Sequence, residues 1–290
     1  MAVALVLSSG VFAQKDELKT LKKIYDKDQP SEKDVTEFNA AVAKAETYLA
    51  TASEGDKVTI NYYRAHAPFV EMQMMLSKSE NKGNPMLMNR YFTPQNVDAI
   101  ARSFAEMRAY EQKTGKTTFT KDMDEAVAMF GPTILESAIA LGKQNKYTDA
   151  SKLLYNLYLM DKKNPDNLFY AASYAVNGED FDNALKYYQE LKAINYTGVS
   201  TAYYASEITT GKEQPFGSKA ERDKAVSLKL YDKPREEKLP SRKSEIYKNI
   251  ALILVQKGKI EEAKAAYADA IRENPTDTSL QIGEANLHLQ

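Results

Sequence analysis

The 290-residue sequence predicts an all-α fold: a right-handed solenoid of helical hairpins with one irregular insert that holds a short β-hairpin. Three observations predict it. Ala, Leu, Lys and Glu are abundant, whereas Gly (12) and Pro (10) are too sparse for a turn-rich β fold. Apolar residues recur at helical spacing along most of the chain. Small residues return with a beat of 34 residues: Ala138 and Ala172, then Ala150 and Ala184.

Residues 1–13 read as a signal peptide. The run AVALVLSSGVFA is apolar and then small. Val11 and Ala13 suit signal peptidase, so the mature chain is expected to start at Gln14. The run is shorter than the roughly 20 apolar residues that span a bilayer. No Lys or Arg precedes it, as in a signal cut short at its start. Residues 14–120 are expected to form divergent helical hairpins. Leu18, Leu21, Ile24 and Tyr25 share one stripe. Ser31 with Asp34 opens a second helix that turns Val35, Phe38, Val42, Ala45 and Leu49 inward. A third helix covers 57–78 and a loop covers 79–92. Thr93-Pro94 starts the next helix and Gly115 ends it.

Residues 121–196 carry the regular repeats. Helix 121–142 contains Gly131-Pro132, a predicted kink. Ala138 is followed twelve residues later by Ala150, and Ala172 by Ala184 and then Tyr188. Near the C-terminus Ala251 is followed by Ala263, Tyr267, Ala270 and Pro275. Ala at each crossing lets two helices approach closely, and Tyr188 and Tyr267 fill the gap to the next hairpin. Asn177-Gly178 and Lys257-Gly258 mark reversals at which Gly supplies the left-handed cap. Pro165 and Pro275 fall just beyond second helices. From Ala184 to Ala263 is 79 residues, forty-five more than one repeat. The excess is assigned to an insert at 197–240, with a hairpin or loop around Thr210-Gly211 and a helix over 218–231 capped by Ser218 and Glu221. A polar linker with Pro234 and Pro240 follows. Residues 241–290 make a last repeat and the first helix of a further one.

This 34-residue pattern resembles the tetratricopeptide repeat (TPR). The order of features also resembles a family of exported TPR proteins of the Bacteroidota. The features are Ala13-Gln14, YEQKTGK at 110–116, LKAINYTG at 191–198, a double-Tyr segment with TGKE at 203–213, and IYKNIALI at 246–253. The resemblance implies an exported protein, periplasmic or associated with the cell envelope. It carries over no catalytic residue.

Composition restricts chemistry. There is no Cys, hence no disulfide, thiolate metal site or Cys nucleophile. His66 and His288, the two histidines, are far apart in sequence. A net charge of −1 gives no electrostatic reason to expect nucleic acid. TGKTT at 114–118 has Tyr110 where a phosphate-binding loop needs Gly. Asp26 and Asp28 begin like a calcium loop, but Pro30 takes the next ligand position. Eight of the ten Met lie between Met72 and Met129, at helical spacing, and are read as core filler.

The expected function is therefore a non-catalytic scaffold or adaptor that binds another protein or peptide, with no cofactor, no metal, no nucleic-acid partner and no transmembrane segment in the mature chain. The partner-groove candidates are first-helix residues facing away from the crossings: Leu135, Ile139 and Lys143; Phe169, Ser173 and Asn177; Lys248, Leu252 and Gln256. Lys143 and Lys248 are placed to meet carboxylates. Tyr203 and Tyr204 are candidates on the insert surface, against the reading that they pack back onto the repeats. Two alternatives are a glycan- or peptidoglycan-binding repeat protein, using some of the 19 Tyr for stacking, and a hydrolase built on a carboxylate pair.

Overall fold

The computed structural model describes residues 15–78, 81 and 85–288. The predicted signal, residues 1–13, lies outside them. The described chain is mostly helical with one small sheet, and it divides into two compact units, one through Asp180 and one from Phe181. Ala172 and Ala184 fall in different units.

The first unit contains α1 (15–25), α2 (Glu32–Glu46), α3 (Glu54–Ser77), α4 (Pro85–Tyr91), α5 (Pro94–Thr114), α6 (Thr120–Lys143), α7 (Tyr147–Met160) and α8 (Asp166–Asn177). Local chemistry sets several ends. Ser31 and Asp34 form a reciprocal capping box on α2. Thr93 caps α5 ahead of Pro94, and Gly115 closes it at φ +69°. Glu111 caps α6 from a neighbouring helix. Its carboxylate accepts from the Phe119 and Thr120 amides at 2.5 and 2.9 Å, and from the Thr120 hydroxyl at 2.7 Å. Arg108, one turn earlier on α5, caps the end of α7 beside it by donating to the carbonyls of Leu159, at 2.7 Å, and Met160. α2 packs on α3, α3 on α5, α5 on α7, and α7 on both α6 and α8.

One expectation changes here. The stretch 79–92 was expected as a loop, but it contains α4. Buried Tyr91 and Phe92 anchor its end, and the Tyr91 hydroxyl donates to Glu71. Gly131 and Pro132 lie inside α6 without ending it. By length and composition alone α6 suffices to cross a membrane, and in this fold it buries Met123, Ala126, Phe130, Ile134 and Ala138. Of the clustered Met, Met72, Met74, Met107 and Met123 are core, whereas Met129 is exposed.

The second unit contains α9 (Phe181–Ala193), β1 (Ser200–Glu207), β2 (Glu213–Phe216), α10 (Lys219–Ser227), β3 (Tyr231–Leu239), α11 (Lys243–Gln256), α12 (Ile260–Glu273) and α13 (Thr278–His288). The expected hairpin is present as β1–β2, turning at Gly211 with φ +67°. The rest of the insert differs from expectation. α10 starts from the Ser218 cap but stops at Ser227, because Lys229 takes a left-handed φ of +56°. The stretch read as a polar linker is β3, which pairs antiparallel with β1 in the order β2-β1-β3. Pro234 is tolerated because β3 is an edge strand. It sits in a bulge between the Tyr204↔Arg235 and Ser206↔Asp232 pairs, beside Lys233 at φ +46°.

The alanines of the 34-residue beat are buried within each unit. Ala138 and Ala150 are fully buried in the packed pair α6–α7, and Ala251 and Ala263 in α11–α12. Tyr188 on α9 accepts a hydrogen bond from Asn249 on α11 at 3.1 Å. The Tyr267 ring on α12 covers Gly283 on α13, where a Cβ would stand 2.6 Å from the ring. Asn249 and Gly283 are 34 residues apart, so both tyrosines reach the same repeat position of the following helix. The insert leaves this register unchanged. Its ends meet: the Thr197 carbonyl accepts from the Arg242 amide at 2.7 Å and from the Ser241 hydroxyl at 3.2 Å. A Cβ at Gly198 (φ +61°) would collide with Arg242 and Tyr196. At Gly258 the left-handed cap appears as expected, with φ +69°. At the earlier reversal Glu179 takes the left-handed position (φ +56°). Gly178 is required for space, since its Cβ would lie 2.9 Å from the Thr148 hydroxyl.

Candidate interaction surfaces

The first-helix candidates divide into exposed and engaged residues. Leu135 and Ile139 on α6 are 36% and 41% exposed, and Leu252 on α11 is 45% exposed. Lys143, Asn177 and Gln256 are also exposed. Phe169 is not a surface residue. It is buried, because α8 buries a wide arc comprising Leu168, Phe169, Ala171, Ala172 and Ala175. The exposed aromatic of α8 is its neighbour Tyr170, whose ring meets Phe169 edge to face. Ser173 is half-buried and donates to the Phe169 carbonyl. Lys248 is already held inside its unit, donating to the Ser279 hydroxyl at 2.6 Å and to Asp277 at 3.3 Å.

Repeat arithmetic finds one residue that sequence reading missed. Positions 135 and 139, 169 and 173, 248 and 252, and 282 and 286 are equivalent in the 34-residue register once the insert is taken out. Ile282, on α13, is 61% exposed. Four large exposed apolar residues (Leu135, Ile139, Leu252, Ile282) therefore occupy two repeat positions. The signal was present in the beat, which could have been extended to α13. Within the first unit α6 and α8 approach where the Tyr174 ring covers Gly142, so Ile139 and Tyr170 lie on adjoining helices. Within the second, Lys248 ties α11 to the start of α13.

Tyr203 and Tyr204 are half-buried within the insert. The Arg222 guanidinium lies 5.4 Å from the Tyr203 ring centre, and that of Arg235 lies 4.0 Å from Tyr204. Arg222 is almost fully buried. It bonds Asp223 at 2.7 Å, Glu236 at 3.3 Å and the Arg235 carbonyl at 3.1 Å, so it ties α10 to the sheet. Arg235 holds Glu213 through two bonds of 2.6 and 2.7 Å. These groups are committed to holding the insert together.

His66 is fully buried among Tyr25, Tyr62, Phe69, Phe104 and Phe130. Its Nδ1 donates to the Tyr62 carbonyl at 2.8 Å, which leaves Nε2 as an acceptor with no partner among the described residues. Burial pushes its pKa down to about 4. Sealed from solvent, this imidazole can take no proton from a substrate. A groove of about 890 Å³ between α5, α6 and the end of α7 has Met123 and Val127 on its walls. Its Arg108 and Glu111 are the helix-capping groups already described. Among the described residues no three His, Asp or Glu side chains converge on a metal-sized site.

No protein-family model matches this chain, and no curated protein matches it in sequence.

Proposed function

We propose that the chain is a non-catalytic helical-repeat scaffold of the tetratricopeptide type, each of whose two units docks an extended polypeptide segment on its first-helix face. One observation carries this reading. Leu135, Ile139, Leu252 and Ile282, exposed and aliphatic, recur at equivalent repeat positions, where a fold serving only its own core has no reason to place them. Tyr170 and the amides of Asn177 and Gln256 supply polar edges of the kind that hold a peptide backbone. The residues of YEQKTGK, LKAINYTG and TGKE support the same reading, because each has a structural task. Glu111 caps α6, Gly198 and Gly211 turn the chain, and Glu213 pairs with Arg235. By its resemblance to exported TPR proteins, we place the scaffold in the cell envelope, with another envelope protein as partner.

The test is selection of peptides from a displayed random library on the purified chain. Selected peptides are expected to bind either the Leu135→Ser/Ile139→Ser or the Leu252→Ser/Ile282→Ser variant at least about tenfold more weakly, with an unchanged melting temperature. That corresponds to about 1.4 kcal/mol. Equal affinity for both variants would remove these faces from consideration. Binding of peptidoglycan fragments, with no peptide selected, would favour glycan recognition.

A further inference from the structure

We propose that the outer end of the insert docks on an anionic lipid surface. Three aliphatic side chains gather there. Ile208, just past β1, is 51% exposed. Leu228, just past α10, is 60% exposed, and Leu230, just before β3, is 57% exposed. Ile208 and Leu230 are cross-strand neighbours, since the Ile208 amide donates to the Leu230 carbonyl at 3.1 Å. Eight-residue β1 carries this end roughly 26 Å from the base at Thr197.

Several backbone amides of this end are satisfied internally, which lowers the cost of approaching an apolar medium. Gly211 bonds back to Glu207 at 2.7 Å, Lys229 to Val226 at 2.9 Å and Leu230 to Ala225 at 3.2 Å. The charges around it are mostly positive. Lys212, Lys224, Lys229 and Lys233 are all exposed, and none makes an ion pair among the described residues. Lys229 stands between the two leucines. Two nearby carboxylates are neutralised by arginine, Asp223 by Arg222 and Glu213 by Arg235, while Glu207 bonds only the Thr210 hydroxyl at 2.6 Å and stays negative, so four lysines face two uncompensated carboxylates. Asp232 is the other.

Aliphatic side chains alternating with unpaired lysines match a headgroup–acyl boundary, where the former enter and the latter meet phosphates. A protein-binding end would be expected to present Tyr or Arg anchors. Those of the insert, Tyr203, Tyr204, Arg222 and Arg235, are bound within it.

The test uses the full chain with vesicles of phosphatidylcholine alone or mixed equally with phosphatidylglycerol. The chain is expected to sediment with the mixed vesicles and to be released as salt rises from about 0.1 to about 0.5 M. Ile208→Ser/Leu228→Ser/Leu230→Ser is expected to lower the partition coefficient at least about tenfold. Lys212→Gln/Lys229→Gln is expected to lower it severalfold. The chain contains no Trp, so Leu230→Trp places a single reporter at this end. Its emission is expected to shift to the blue on mixed vesicles. Equal partitioning of the triple variant and the wild type overturns the proposal, as does unchanged emission. Self-association lost in the triple variant, with no vesicle binding, also overturns it and assigns this end to a second copy of the chain.

Discussion

His66 shows how one side chain sets a condition on the whole fold. Its ordinary pKa is near 6.5, and burial lowers it to about 4. Above pH 6.5 the ring is neutral in both the folded and the unfolded chain and contributes no pH dependence. Between 6.5 and 4 the unfolded chain takes up a proton that the folded chain refuses, so stability falls as pH falls. Below 4 the difference is constant. The full loss is about 3 kcal/mol. Melting temperatures across this window are expected to fall more for the wild type than for His66→Phe, and parallel falls would refute the assignment. Gly283 makes the opposite kind of demand. Ala at an ordinary helical Gly adds up to about 1 kcal/mol. Here the new Cβ would stand 2.6 Å from the Tyr267 ring, so Gly283→Ala is expected to cost about 1–3 kcal/mol. In a Tyr267→Leu background the same change is expected to stabilise. Urea titrations of the four proteins check the reversal of sign.

At the scale of elements, what the sequence discloses depends on how local the determining chemistry is. Ser31, Thr93 and Ser218 announce helix starts because each cap bonds to an amide three residues on. Ala138, Ala150, Ala251 and Ala263 disclose close crossings because only a small side chain fits there. β3 was not legible. Its sequence, YDKPREEKL, has no apolar alternation, because an almost fully exposed edge strand buries neither face. Phe169 was misplaced for a related reason. The exposed side of a helix follows from the crossing residues when one neighbour covers it, and fails when burial spreads over most of its circumference, as in α8. The apolar end of the insert was invisible too, since Ile208, Leu228 and Leu230 lie apart in sequence and only the β1–β3 pairing joins them.

For the molecule as a whole, the two proposed activities sit on separate parts of the chain and can be taken apart. A chain in which residues 198–241 are replaced by two glycines is expected to keep its helical circular dichroism and its peptide binding, and to lose its affinity for anionic vesicles. Loss of helical structure in that variant would show that the insert is needed for α9 and α11 to pack. A near-neutral balance, 39 basic against 40 acidic residues, leaves the local excess of lysine at the end of the insert as the contribution that ionic strength acts on.

The 2.7 Å contact between Thr197 and Arg242 makes the insert a cassette. A segment that leaves a helical array and returns to its point of departure can be lengthened, shortened or exchanged without moving the helices that flank it, because the Tyr188–Asn249 seat is set by those helices alone. The same array can then be fitted to different surfaces by changing a single surface-mounted part.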